Sequence, residues 1–274
     1  MATGRNNQFY LTLPSNSSMA YYPNNTAANY ITHLSSSIAL HDGEWEVALV
    51  EAHYPNSFLT VSNDAIIYIH LSDVSQAGAD GLVPSTAVKL SALKVQPGVY
   101  RDIQHLLKEI NSIDELRNYG AFTYNQESML VTITTRSTVK QIELSTTLAL
   151  VMGFDPKETD LKKNNKSIRP ADIHAALPSH MYVYCDLVEP QLVGDTVAPL
   201  LKIVNIDTTS DAYMYGANKL VHFIDPHYVP LMKTSFESVE IDLRNNTGHQ
   251  LPFHFGTTCM KLHFRRSAPA ADHN

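Results

Sequence analysis

The segment from Phe236 to Arg266 constrains the fold of this 274-residue chain more than any other. In FESVEIDLR, Val239, Ile241 and Leu243 alternate with Glu240, Asp242 and Arg244, a two-residue period that sends one set of side chains to a core and the other to water. Asn245, Asn246, Thr247 and Gly248 then supply residue types that tolerate a positive φ. After Pro252 the chain resumes as HFGTTCMKLHFRR, with Met260, Leu262 and Phe264 on one face and Lys261, His263 and Arg265 on the other. Strands that are apolar on one face only need a second layer to cover them, so the segment predicts a β-sandwich.

Similar runs occur at Gln8 to Leu13, Ala28 to Leu40, Trp45 to His53 and Ala65 to Leu71, separated by turn residues such as Asp42-Gly43 and Tyr54-Pro55-Asn56-Ser57. Four more follow, at Met181 to Val188, Pro199 to Ile206, Phe236 to Leu243 and His254 to Phe264. Two groups of four make the strand count of a jelly roll. Between the groups the period changes. Asp102 can cap a helix in which Ile103, Leu106, Leu107 and Ile110 share one face, and Met129, Val131 and Ile133 share the face of a following strand. Ser145 to Met152 reads as a capped helix stopped by Gly153. The expected architecture is therefore mainly β, a single jelly-roll β-sandwich with an inserted small α+β module. Its expected parts are a first half at 1–85, the module with a basic linker (Lys157 to Pro170) at 86–171, a second half at 172–266 and a mobile tail at 267–274. Residues Asp207 to Lys219 read as a long surface loop.

A chain of this length buries roughly three-quarters of its unfolded surface and needs no metal or disulfide to stay folded. Cys185 and Cys259 lie in strand-like runs without a framework spacing, which predicts buried free thiols. The opening MATGRNNQFY has no apolar signal-type core and no run of about twenty apolar residues follows. The expectation is a soluble protein made in the cytosol, with no membrane span. A net charge of −7 argues against a surface built to neutralise many phosphates, so no direct nucleic-acid partner is expected.

Thirteen histidines raise the question of a metal, but none falls in an H-x-H, H-x-x-x-H or H-E-x-x-H spacing. No G-x-S-x-G elbow and no Gly-rich phosphate loop occurs, and the acidic pairs Glu44 with Glu46 and Glu240 with Asp242 have the spacing of a solvated strand face. Hence no catalytic, metal or cofactor residues are assigned. Lys162, Lys163, Lys166 and Arg169 lack interleaved aromatic residues for base stacking and read as a solvated linker. Two irregular segments differ in kind: Tyr21, Tyr22 and Pro23, and Asp225, Pro226, His227, Tyr228 and Pro230. Tyr and Pro offer rigid, amphipathic area at small entropic cost, which suits either a protein interface or a loop packed on its own sandwich.

The closing strand, the Asn245-Asn246-Thr247-Gly248 turn, Pro252-Phe253 and the ending His263-Phe264-Arg265-Arg266 together resemble the C-terminus of the minor capsid, or penton, proteins of Polinton (Maverick) elements. FYLTLPSNSS from Phe9, GEWEVALVEAHYPNS from Gly43, YVYCDLVEPQLVGDTVAPLLKIV from Tyr182 and PHYVPL from Pro226 resemble segments of that family in the same order. The family is similar to vertex proteins of related eukaryotic double-stranded DNA viruses and virophages. The resemblance implies a virion capsid protein that assembles as a homopentamer at icosahedral vertices, beside a major capsid protein of double-jelly-roll type. The alternative left open by the residues is a β-sandwich carbohydrate-binding or attachment module.

Overall fold

The computed structural model describes residues 7–41, 43–71, 89–158, 160–208 and 214–267. The chain divides into two compact units, one made of residues 1–58 and 178–274 and the other of residues 59–177. The strands and helices in chain order are β1 (Gln8–Pro14), β2 (Asn29–Ala39), β3 (Trp45–Pro55), β4 (Ile66–Leu71), β5 (Lys89–Lys94), α1 (Ile103–Ser112), α2 (Asp114–Arg117), β6 (Gly120–Asn125), β7 (Leu130–Thr135), β8 (Val139–Leu144) and α3 (Thr146–Met152). They continue with β9 (His180–Cys185), β10 (Gln191–Val193), β11 (Thr196–Ala198), β12 (Leu200–Asn205), β13 (Asn218–His222), β14 (Val229–Pro230), β15 (Ser235–Arg244) and β16 (Cys259–Arg266).

The first unit is a jelly roll. One sheet runs β1-β16-β3-β13, with β14 also paired to β3, and the other runs β12-β9-β15-β2. Every pairing is antiparallel, and the chain crosses from sheet to sheet between successive jelly-roll strands except from β9 to β12, which pair with each other. The first and last strands pair from Gln8 with Arg265 to Pro14 with Cys259. The alternation read in the closing segment holds: Val239, Ile241, Leu243, Met260, Leu262 and Phe264 are all fully buried. Phe264 stacks on Phe9 at 4.7 Å and on Phe236, from the opposite sheet, at 5.8 Å. Trp45 is buried, its Nε1 donating to the His41 carbonyl at 3.2 Å. Tyr30 of β2 ties the sheets through a buried hydrogen bond from its hydroxyl to the Leu13 carbonyl of β1 at 3.0 Å.

Three irregularities modify the first unit, one of them a shift in the β12–β9 register between Leu200 and Lys202. Between the pairs Lys261–Glu51 and Leu262–Leu49, β3 carries Val50 as an extra residue, a β-bulge. In β2, between the pairs His33–Ser238 and Ile38–Phe236, Leu34, Ser35, Ser36 and Ser37 face Glu237 alone.

Three expectations change here. The fourth strand-like run, β4, pairs with β5 and β8 in the second unit, so the first boundary lies at 58/59 and the insertion follows the third jelly-roll strand, not the fourth. The alternation of β4 fits any half-buried sheet, and only its partners decide which sheet it joins. The missing jelly-roll strand is β13, inside and just beyond the segment read as a loop. The segment 157–170 is not a linker. Leu161 and Ser167 are buried, the Ser167 amide donates to Val131 O at 2.9 Å, and Ile133 donates to Asn165 O at 2.8 Å, so this stretch extends the β6–β7 hairpin. The expected boundary at 85/86, the first six residues and the tail from 268 lie outside the described residues.

The second unit has its own core. Ile103, Leu106, Leu107 and Ile110 of α1 are buried with Phe122, Val131, Ile133, Ile142 and Phe154. Asp102 caps α1 by accepting from the His105 amide at 2.8 Å. Met129, expected on the same face as Val131, sits instead in the hairpin turn at φ 55° and is half exposed. Gly153 ends α3 at φ 77°, where a Cβ would also meet the Arg169 carbonyl at 2.1 Å; the Ser145 hydroxyl accepts from the Ile66 amide and does not cap the helix.

Two outcomes are expected. Tyr30→Phe removes this buried hydrogen bond between the two sheets and lowers the stability of the first unit by about 0.5 to 1.5 kcal/mol in denaturant titration. Residues 59–177 expressed alone fold to a cooperatively melting domain with dispersed amide resonances; a collapsed, non-cooperative product would mean that their core is incomplete.

Candidate functional site

The outer face of the β1-β16-β3-β13 sheet carries a connected network of charged and aromatic side chains. Because Val50 is an extra residue, Trp45, Val47 and Leu49 point to the core before it and Ala52 and Tyr54 after it, which leaves Glu46, Glu51 and His53 outside. Glu51 therefore meets its register partners Lys261 on one side and His222 on the other. Lys261 Nζ lies 2.9 Å from Glu51 Oε1, His222 Nδ1 3.7 Å from the same oxygen, and His53 Nε2 3.6 Å from Oε2. The hydrogen bond from Lys261 is the main reason that the Glu51 carboxyl is held below the usual carboxylate range.

One row along the sheet, Tyr10 stacks on His263 at 4.4 Å. His263 Nδ1 is 2.6 Å from the Tyr228 hydroxyl and its Nε2 is 3.1 Å from Gln8 Oε1. In the next row Arg265 pairs with Glu46 at 2.5 Å and lays its guanidinium 3.4 Å from the centre of the Tyr228 ring. Tyr10, Glu51, His222, Tyr228, Lys261 and His263 border a shallow depression of about 400 Å³, also lined by Ile224, which is 93 % exposed.

The structure separates the residues singled out in the sequence. Pro226 and Tyr228 border the depression, Asp225 and His227 are exposed beside them, and Pro230 pairs with Glu46 as part of β14. Tyr228 is engaged within the protomer through both its ring and its hydroxyl. Tyr21 and Pro23 are exposed and Tyr22 half-buried in the connection before β2, with the Tyr21 ring 4.3 Å from that of His33 in the other sheet. No contact among the described residues joins the two groups. Sequence reasoning missed Glu51, His53 and His222, whose outward placement follows from the bulge, and also the hairpin β10–β11. There Leu192 and Val197 form a cross-strand pair and are 83 % and 62 % exposed.

The outer face of the second sheet is also charged. Asp186 accepts from Lys233 at 2.6 Å and from the Glu240 amide at 2.8 Å, and Asp242 pairs with Arg244 at 2.7 Å. Among the described residues no three His, Cys, Asp or Glu side chains are grouped to hold a metal ion. Both cysteines are free; burial pushes the Cys185 thiol up to about 12, away from the thiolate that nucleophilic chemistry needs. No helix among the described residues is long and apolar enough to cross a membrane.

No family model and no curated protein matches the chain. Among solved structures, the mavirus penton protein is similar at a TM-score of 0.47 and 12 % identity, over 94 % of this chain and 99 % of that one. A chain from the structure of the Sputnik virophage is similar at a TM-score of 0.45 and 11 % identity, over 94 % of this chain and 98 % of that one. The jelly-roll assignment rests on the strand pairing itself.

Lys261→Met removes the main cause of the lowered Glu51 pKa, so Glu51 should titrate closer to the ordinary carboxylate range in a carboxyl-detected NMR titration. The sign is fixed by the direction of the shift: the stability tied to ionised Glu51 is complete above the unfolded-state value and is lost as the pH falls through the lower folded-state value. The variant should lose that component of the acid limb.

Proposed function

We propose that this chain is a structural capsid subunit of the penton type. It assembles with copies of itself, as a homopentamer at icosahedral vertices of a virion capsid, beside a larger double-jelly-roll shell protein. The observation that carries the reading is a jelly-roll unit with large apolar side chains exposed on its connections. Leu192 and Val197 stand on the β10–β11 hairpin, and Ile224 stands on the connection between β13 and β14. Exposed apolar groups of this size favour burial against another protein surface. The ring and shell partner come from the sequence resemblance, and a closed ring suits a sandwich that meets its copies through loops and a hairpin.

The second reading, a carbohydrate-binding or attachment module, draws on the depression beside Tyr10 and Tyr228. There aromatic faces stand next to the Lys261, Glu51 and His222 side chains, the mixture that a sugar ring can stack on and hydrogen-bond to.

Sedimentation at micromolar concentration separates the two. The capsid reading expects a mass of about five protomers, alone or with the shell protein. Leu192→Asp and Ile224→Asp should lower that mass while leaving protomer melting unchanged, because neither side chain is buried in the protomer and interface anchors are worth about 2 kcal/mol or more. A wild-type chain that stays monomeric in both settings and binds a defined glycan would replace the capsid reading with the second.

A further inference from the structure

The segment from Phe223 to Tyr228 joins β13 to β14, and both of those strands pair with β3. Within it the Phe223 amide donates to the carbonyl of the bulged Val50 at 2.9 Å. At its other end Tyr228 is tied through His263 to Gln8 at the start of β1. The hydrogen bonds of His263 are complete for one neutral form. Nδ1 accepts from the Tyr228 hydroxyl, and Nε2–H donates to Gln8 Oε1. A protonated ring has two donors and no acceptor, so the Tyr228 hydroxyl would have to give up its donor role toward it.

We propose that the Tyr228–His263–Gln8 chain is an acid-sensitive latch, which holds the 223–228 segment on the sheet while His263 is neutral and releases it when the ring is protonated. The surrounding charges favour this direction. On its own strand His263 lies between Lys261 and Arg265, and Arg265 sits directly on the Tyr228 ring. From β3, Glu46 and Glu51 are already engaged by Arg265 and Lys261, and His53 adds no negative charge. From β13, His222 shares Glu51. The segment itself carries Asp225 and His227, both exposed to water. From β1, the stacked Tyr10 ring gives a cation a favourable face and partly offsets the repulsion.

Burial, and after it the charge of Arg265, hold the His263 pKa below the ordinary histidine value. A depressed pKa on a base means that the latched form binds fewer protons than the released form. The latch is therefore complete above the ordinary value of about 6.5 and weakens as the pH falls below it. The inference goes beyond the capsid reading and does not depend on it, since both partners of His263 belong to the same protomer.

The test is amide hydrogen exchange by mass spectrometry, corrected for intrinsic rates, on peptides spanning 221–230 between pH 7.5 and 5, alongside an NMR titration of the His263 ring in the same wild-type protein. Protection of the segment should be lost on acidification with the midpoint at which His263 titrates, below the ordinary histidine range. His263→Gln, which can still hydrogen-bond but cannot charge, should abolish the pH dependence. Tyr228→Phe should lower protection already at pH 7.5. An unchanged acid response in His263→Gln, wild-type protection that persists after His263 has titrated, or a His263 that titrates at or above the ordinary value would each overturn the latch. Should His263→Gln fail to fold, coincidence or disagreement of the two wild-type midpoints decides the question.

Discussion

The first unit depends on β16 lying between β1 and β3. A strand paired on both edges places all of its backbone donors and acceptors in ladders, and its inner side chains Met260, Leu262 and Phe264 are fully buried. The same strand brings residues near the two ends of the sequence into register, so the fold closes only when the last strand has been delivered to the first. Phe264 adds a lateral tie. It lies between Phe9 of its own sheet and Phe236 of the opposite one, and Phe9 in turn packs against Trp45 at 5.8 Å. Aromatic area thus bridges the two layers at one end of the sandwich, while the Tyr30 hydroxyl bridges them further along β1.

The bulge at Val50 decides what the outer face of that sheet can be. With unbroken alternation, Glu51 and His53 would share the inward parity of Trp45, Val47 and Leu49, and a carboxylate would enter the apolar core. The extra residue reverses the parity, sends Ala52 and Tyr54 inward, and sets Glu51 opposite Lys261 and His222. The carbonyl of the bulged residue is put to use as the acceptor for Phe223, so one irregularity both builds the charge cluster and fixes the start of the segment that Tyr228 holds down.

Much of this was legible in the sequence. The alternation of β15 and β16, the α1 face at Ile103, Leu106, Leu107 and Ile110, and the Asp102 cap are local patterns, and they hold in the structure. What escaped depends on partners. The run Ile66–Leu71 alternates in the same way whichever sheet it joins, and the half-exposed β13, reading Asn-Lys-Leu-Val-His, has too weak an apolar face to announce a strand. The basic stretch 157–170 looked solvated because its lysines dominate the composition, whereas Leu161 and Ser167 anchor it. At the candidate site, the outward parity of Lys261, His263 and Arg265 could be read, but the matching residues of β3 could not, because nothing in WEVALVEAHYP marks Val50 as the extra residue.

The serines of β2 carry a further consequence. Among the described residues this strand borders its sheet, paired only with β15, and a long uninterrupted border is a template onto which another chain can add by backbone hydrogen bonding. Leu34 to Ser37 break that template, because four residues occupy the space opposite Glu237 and throw the amides out of step. Open-ended growth by strand addition needs such an unbroken border. With this one interrupted, any chain that meets it is steered toward side-chain recognition, which can saturate, and away from fibre extension, which cannot.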